Sequence, residues 1–489
     1  MLFSSHIFIF YFLPVALLIY YGLARASQRA RNGALALLGY FFYGWANPQF
    51  ILVMLATTLV DWYLSLVIAR DNWLVKDTAT DLASPLPPGP RTKRQRAALC
   101  LSVISNLTML GFFKYFHFAI DNYNGLLHAM GLAHAEWHPF FHVVLPLGIS
   151  FYTFQSMSYT IDVYRGEAKA MRSFVDFSCF VSMFPHLVAG PILKFSFLAD
   201  QLEHRTLTLE KFARGAAFFC LGLAEKVLIA NPCGKVADLT FGAASVRCVD
   251  AWYGAVAYAF QIFFDFSGYS DMAIGLGLML GFIFAKNFDA PYRSASITEF
   301  WRRWHISLSS WLREYLYVPL GGSRKGSGRT YANLIVTMLL GGLWHGASWN
   351  FVAWGGLHGG ALAIERRAGG NLLRVRVHAL QVAVTFLVVV LGWVLFRAET
   401  MTAAWQYLHF MAGAGAVRPE AAVVSGLIYK PYYLASVGVA AAMAWFGPVP
   451  WEWTRQLTIT KALACLALFW LAIVALATQS YNPFIYFRF

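Results

Sequence analysis

Charge is scarce in this sequence. Of 489 residues only 13% are Asp, Glu, Lys or Arg, while 58% are hydrophobic. A soluble domain carries about 25% charged residues, so half of the usual water-facing surface is missing. No polar block of domain size interrupts the apolar segments between residues 5 and 479. That excludes the roughly three soluble domains that length alone suggests. Clustered cysteine is lacking too. Cys100, Cys179, Cys220, Cys233, Cys248 and Cys465 show no CxxC spacing and no His-Cys cluster. Most lie in or beside apolar segments, where a thiol behaves as a small hydrophobe, so neither a disulfide framework nor a metal site is expected. The opening MLFSSHIFIFYFLPVALLIYYGL lacks a basic n-region and a small-residue cleavage site, and reads as a retained first span. No internal repeat is visible, which argues against a transporter built from two similar halves. A Walker A loop, a G-x-S-x-G elbow and an H-E-x-x-H motif are also missing.

What is present is a succession of apolar runs. A spanning helix needs about 20 mostly apolar residues. Candidate spans are 5–24, 33–46, 50–69, 97–118, 141–162, 174–194, 213–231, 251–282, 331–363, 378–397, 431–447 and 461–479. The runs 251–282 and 331–363 exceed one span, so each tilts, breaks or holds two short helices. The expectation is an all-α, polytopic integral membrane protein, one domain over 1–489, with about 11 spans. The net charge of +14 comes from basic residues between spans, the pattern of cytoplasmic loops, so no nucleic-acid partner is expected. Arg25, Arg29 and Arg31, then Arg70, Lys76, Arg91, Lys93, Arg94 and Arg96, flank an uncharged turn at 46–49. This alternation places residues 25–31 and 70–96 in the cytoplasm, and Met1 and residues 121–140 outside. The 70–96 loop carries PLPPGP, a flexible or polyproline stretch.

The segment 283–330 is polar and aromatic, with eight basic residues, Arg302 and Arg303 among them, against Asp289, Glu299 and Glu314. Ser296 and Glu299 form an S-x-x-E capping pattern, which starts a helix near Ile297. Phe300, Trp304, Ser307, Trp311 and Tyr315 recur at helical spacing, as expected of an amphipathic helix at the membrane surface.

Thirteen histidines are present. His128, His134, His138 and His142 are irregularly spaced around the outer loop, without a carboxylate-rich partner set. His117 and Asp121 form H-x-x-x-D at the end of a span, where a boundary pair is the simpler reading. His345 differs, because it lies inside the apolar LLGGLWHGASWNFVAWGGLHGG. An ionisable group at membrane depth marks a functional site by default, and an imidazole exchanges a proton near neutral pH; the alternative is a packing histidine bonded to a carbonyl. His305, in WRRWHISLSSW, lies on the basic segment where an anionic donor would arrive, Arg302 and Arg303 being candidates to hold its phosphates; the alternative is interfacial anchoring. Asp265 and Asp271, in FFDFSGYSDMAIG, fall within or beside an apolar run, so at least one faces a polar cavity or a cation. Asp265 and Tyr269 are one helical turn apart and within reach of a shared partner.

Several long strings resemble the membrane-bound O-acyltransferase (MBOAT) superfamily: FFDFSGYSDMAIGLG, NFDAPYRSASITEFWRRWHISLSSWLREYLYVPLGG and GGLWHGASWNFVAWGGLHG. LPLGISFYTFQSMSYTIDVYRGE, FPHLVAGPI and the opening MLFSS fit its bacterial branch, whose members serve alginate O-acetylation or teichoic-acid D-alanylation. The resemblance runs from residue 1 to about 400; the spans of 401–489 have a less certain role. It implies a helical fold around a tunnel, with His345 essential inside it and His305 towards its cytoplasmic end. It further implies a thioester donor, acetyl-CoA or an acyl carrier, and no resident cofactor. A polysaccharide acceptor and a periplasmic partner of the SGNH type complete the expected system, in the bacterial inner membrane. On this reading His345 deprotonates the acceptor hydroxyl or takes the acyl group itself, and His305 positions the donor or polarises its carbonyl.

Overall fold

The computed structural model describes residues 1–23, 26–74, 82, 84–370, 377–479 and 481–485. Among them all regular structure is helical. The described residues include four helices that are both long and apolar enough to cross a membrane: Phe50–Arg70, Lys93–Ala129, His378–Arg397 and Ile459–Thr478. Phe8–Gly22 and Pro431–Phe446 are shorter apolar helices. Large apolar side chains such as Leu18, Leu52, Leu380, Leu466 and Trp470 stand exposed on them, a surface suited to lipid. The chain divides into two compact units, Met1–Thr208 with Leu280–Phe284, and Leu209–Met279 with Ala285–Phe489.

In the first unit, the helices Phe50–Arg70, Lys93–Ala129 and Ile149–Arg165 are bound by one buried carboxylate. Asp61 accepts from Ser102 Oγ at 2.6 Å, from Asn106 Nδ2 at 2.8 Å and from Ser156 Oγ. Inside an apolar bundle such a group is tolerated only when its lone pairs are satisfied. Helix Lys93–Ala129 begins at a reciprocal capping box of Thr92 and Gln95. At 37 residues and a rise of about 1.5 Å per residue, it outruns a bilayer core.

Two expected spans of this unit are shorter in the structure. The run 141–162 turns helical only at Ile149, because Gly148 takes φ 72°. The run 174–194 is helical over Phe174–Ser182, breaks at Met183, makes one turn at Phe184–Leu187 and continues without helix to Lys194. Pro185 and Pro191 each remove an amide donor there. The 70–96 loop is less free than its prolines suggest: Arg91 Nε donates to Tyr164 O at 2.7 Å and Leu82 is buried. Arg25 and Lys76 lie outside the described residues.

The second unit is built on two long runs. Residues 209–241 are one continuous run with a π-turn at Glu225–Ala230, and it packs against helix Cys248–Met279. Gly222 and Gly268 permit their approach, since a Cβ on either would overlap the other's carbonyl oxygen. The run 331–363 holds two helices, Ser327–His345 and Trp349–Ala368, broken at Gly346, Ala347 and Ser348. The run 251–282, by contrast, is one unbroken helix as far as Met279.

The expected amphipathic surface helix is corrected in two respects. It starts at Ile297 behind Ser296, which accepts from Glu299 N at 3.0 Å, but it stops at Arg303. His305 takes the left-handed conformation, φ 44° and ψ 54°, and a second helix runs from Ile306 to Leu312. A left-handed residue cannot continue a right-handed helix, so the helical spacing of the aromatics spans two elements. Phe300, Trp304 and Trp311 are buried, not spread on a membrane surface.

Candidate active site

The second unit holds every element of the site. After helix Cys248–Met279 the chain returns as an extended segment that pairs with the junction between the two short helices. Asp289 N donates to Arg303 O and Ile306 N donates to Asn287 O, each at 2.9 Å. Helix Ile297–Arg303 is held from outside by Glu365, whose carboxylate accepts from Ile297 N at 2.5 Å and Thr298 N at 2.8 Å. A carboxylate at a helix N-terminus satisfies orphan amides and complements the helix dipole. These bonds fix the peptide on which His305 sits.

His305 is fully buried, and His345, the last residue of helix Ser327–His345, is 8% exposed. Their ring centroids are 6.5 Å apart. Phe266 presents an edge to His305 at 4.6 Å. Trp344, Phe396 and Trp354 stand around His345 at 5.0, 5.2 and 5.3 Å. A cavity of about 10 Å³ opens beside His345, lined by Ile262, Phe266, Trp304, Trp354, Trp393, Phe396 and Ile485. That is room for about one water, with His345 as the one ionisable group among the described residues that line it. The imidazole therefore faces a nearly dry, aromatic space from which bulk water is excluded.

A second cavity, of about 40 Å³, carries charged groups in a largely apolar wall: Glu225, Ser267, Asp271, Lys286 and Arg293 line it together with residues such as Phe263, Phe264, Phe288 and Trp451. Phe288 also packs on Phe266 at 4.9 Å and stacks on His305 at 6.4 Å. The ring of Phe288 thus lies between this cavity and His305. Of the two arginines singled out for phosphate binding, Arg302 is exposed. Arg303 is engaged with Glu299 at 2.8 Å and with Asp289 O at 3.2 Å.

Asp265 and Asp271 sit in different settings. Asp265 pairs with Lys226 at 2.8 Å and accepts from Ile485 N at 2.8 Å, whereas Asp271 lines the second cavity. Lys226 also donates to Asn231 Oδ1 at 2.8 Å and to Pro483 O. Tyr269 instead packs its ring on Phe484 at 4.6 Å. Residues 481–485 are thus bound into the unit, and Ile485 becomes part of the wall opposite His345. The sequence reading missed Ile485, Lys226, Asn287 and Glu365. Only Lys226 left a signal, a lone lysine inside the apolar run 213–231.

The remaining histidines belong to other settings. His117 Nε2 accepts from Val143 N at 3.0 Å, and its ring stacks on His142 at 4.5 Å. His128 and His138 each lie 3.5 Å from Glu136. His358 is buried against Trp301, whose indole N–H donates to its Nδ1 at 3.3 Å.

The pattern of the MBOAT, membrane-bound O-acyltransferase family, matches residues 137–372, which include both site histidines. A probable alginate O-acetylase, AlgI, of Pseudomonas putida is 44% identical over 100% of this chain and 100% of its own length. A peptidoglycan O-acetyltransferase of Helicobacter pylori is 35% identical over 85% of this chain and 81% of its own. A teichoic acid D-alanyltransferase of Streptococcus thermophilus is 30% identical over 45% of this chain and 56% of its own. Similarity at that level over the full length decides the family: the chain is a multi-pass membrane acyltransferase that belongs to the membrane-bound O-acyltransferase family.

Proposed function

We propose that the protein transfers an acetyl group from a cytoplasmic thioester, acetyl-CoA, towards a hydroxyl on an extracytoplasmic, alginate-like exopolysaccharide. The observation that carries this reading is the buried pair His305 and His345, 6.5 Å apart in an aromatic enclosure. His345 takes the proton of an acceptor hydroxyl, the hydroxyl oxygen attacks the thioester carbonyl carbon, and the C–S bond breaks. The imidazolium then returns its proton to the departing thiolate, so the step balances without a net proton. Alignment of both substrates in a dry cavity supplies the orientation. The exposed Arg302 is suited to the phosphates of the donor, whereas Lys286 is paired with Asp289 at 2.8 Å and Arg293 donates to the Ala444 and Gly447 carbonyls.

About 11 spans in a bacterial inner membrane, with Met1 outside, complete the reading, and a periplasmic partner of the SGNH type carries the acetyl group on to the polymer. Full-length likeness to probable alginate O-acetylases favours it. A carrier-fed D-alanyl transferase is the second reading, supported by a likeness over only 45% of the chain.

Reconstituted protein offered acetyl-CoA and, separately, a D-alanyl carrier protein decides between them. Release of coenzyme A with the first donor alone is the predicted result. Turnover with the carrier alone would replace acetyl transfer by D-alanyl transfer, and flux of a polymer without turnover of either would point to a channel.

A further inference from the structure

We propose that Asn287 is a positioning residue that fixes the tautomer of His305, leaving the histidine's Nε2 as a standing hydrogen-bond acceptor in the site. The inference rests on the reading of His305 as part of the acyl-transfer centre.

An amide oxygen and nitrogen are told apart by their neighbours. Ser307 N, which can only donate, lies 3.2 Å from one terminal atom of Asn287, and Ser307 Oγ lies 2.8 Å from the same atom. That atom is therefore the carbonyl oxygen. His305 Nδ1 sits 3.2 Å from it as well. Ser307 Oγ lies 3.4 Å from Nδ1 too, but its one proton goes to the closer Asn287 oxygen at 2.8 Å; two lone pairs would repel between that oxygen and a bare Nδ1, so Nδ1 carries the proton, and in the neutral ring Nε2 does not. Asn287 is 1% exposed, which removes competing water. Its backbone oxygen also accepts from Ile306 N at 2.9 Å, so the same residue grips the left-handed turn and the ring that it presents.

Two buried atoms are left over. His305 Nε2 and Asn287 Nδ2 have no hydrogen-bond partner among the described residues. An unpaired buried polar atom costs about 1–3 kcal/mol, a cost that a bound substrate can relieve. The chemistry assigns what Nε2 takes: an N–H or O–H of a substrate. A neutral His305 of this tautomer cannot donate from Nε2 to a thioester carbonyl, so carbonyl polarisation is not its role. Using an amide in place of a carboxylate fixes the tautomer without placing a second charge in an apolar enclosure.

The test combines spectra with kinetics. Magic-angle-spinning spectra of ¹⁵N-histidine-labelled protein in bilayers, with His305 assigned by its loss in His305→Gln, report the tautomer directly. Wild type is expected to show Nδ1 protonated and Nε2 bare. Asn287→Leu, which removes the accepting oxygen, is expected to lower turnover up to about 100-fold and to abolish the tautomer preference. Asn287→Asp keeps an accepting oxygen and adds a charge that favours the imidazolium. It is expected to stay within about tenfold of wild type while the low-pH limb of its rate profile moves to higher pH.

A wild-type His305 protonated at Nε2 overturns the proposal. So does an Asn287→Leu protein with wild-type turnover and pH profile, or an Asn287→Asp protein whose low-pH limb does not move. Should Asn287→Leu not fold, the wild-type spectrum and Asn287→Asp decide. Failure of the site reading looks different: His305→Ala and His345→Ala would then both retain turnover. Their inactivity beside unaffected Asn287 variants would sink this inference alone.

Discussion

Lys226 and Asp265 form an ion pair within the apolar second unit, 2% and 1% exposed at their side chains. Neither charge is tolerable there alone, and each has a further bond: Lys226 to Asn231 and Pro483, Asp265 to the Ile485 amide. Removing one partner of a buried pair typically costs 3–5 kcal/mol, whereas replacing both is often close to neutral. Lys226→Met should therefore lower the thermal unfolding midpoint in detergent strongly, and Lys226→Met with Asp265→Leu should recover a large part of the loss. Equal midpoints for wild type and Lys226→Met would show that the pair carries no stability. His345 stood out at this scale because it is an ionisable group between Trp344 and Gly346 in an apolar run, and the structure sets its ring 6.5 Å from that of His305. Asn287 did not: in NFDAPY an asparagine looks like an ordinary loop residue, and its meaning depends on Ser307 and His305 meeting the same oxygen.

Elements of the site are set by where helices stop. His345 ends one helix, and a Gly-Ala-Ser break leads into the next. The close packing of this hairpin requires Gly342, since a Cβ there would overlap the Phe351 carbonyl oxygen. Gly342→Val is expected to destabilise by about 1–3 kcal/mol through overpacking and, by displacing His345, to cut turnover more than it lowers the amount of folded protein. Activity per folded molecule, measured after size-exclusion chromatography, checks this; an unchanged specific activity would contradict it. Length left two helices open for 331–363 and equally for 251–282, and only the first run holds two. The interruption at His305 could not be read, because helical spacing of Phe300, Trp304, Ser307, Trp311 and Tyr315 continues through it. The turn is imposed by the pairing of residues 287–289 with 303–306, and periodicity does not record such tertiary bonds.

At the scale of the whole molecule, apolar composition made the membrane legible, while span boundaries were blurred. Helices of the second unit carry polar groups inward, such as Gln261, Asp265 and Ser267 on helix Cys248–Met279, so hydropathy alone marks only four described helices as spanning. The proposed orientation predicts that a cysteine introduced at Ala133 reacts with an impermeant maleimide added outside intact cells. One at Ser84 should react only after permeabilisation; the reverse pattern would invert the topology. Residues 481–485 show a limit of another kind, because Ile485 reaches the His345 cavity from far along the chain and no local pattern announces such a contact.

The central claim is that acyl transfer is centred on His345. The most direct measurement is turnover of radiolabelled acetyl-CoA by wild type, His345→Ala and His305→Ala, each reconstituted and matched for folded protein. The account predicts coenzyme A release by wild type, a loss of at least about 100-fold in His345→Ala, as expected when a general base is removed, and a clear loss in His305→Ala. Equal turnover in all three would contradict it.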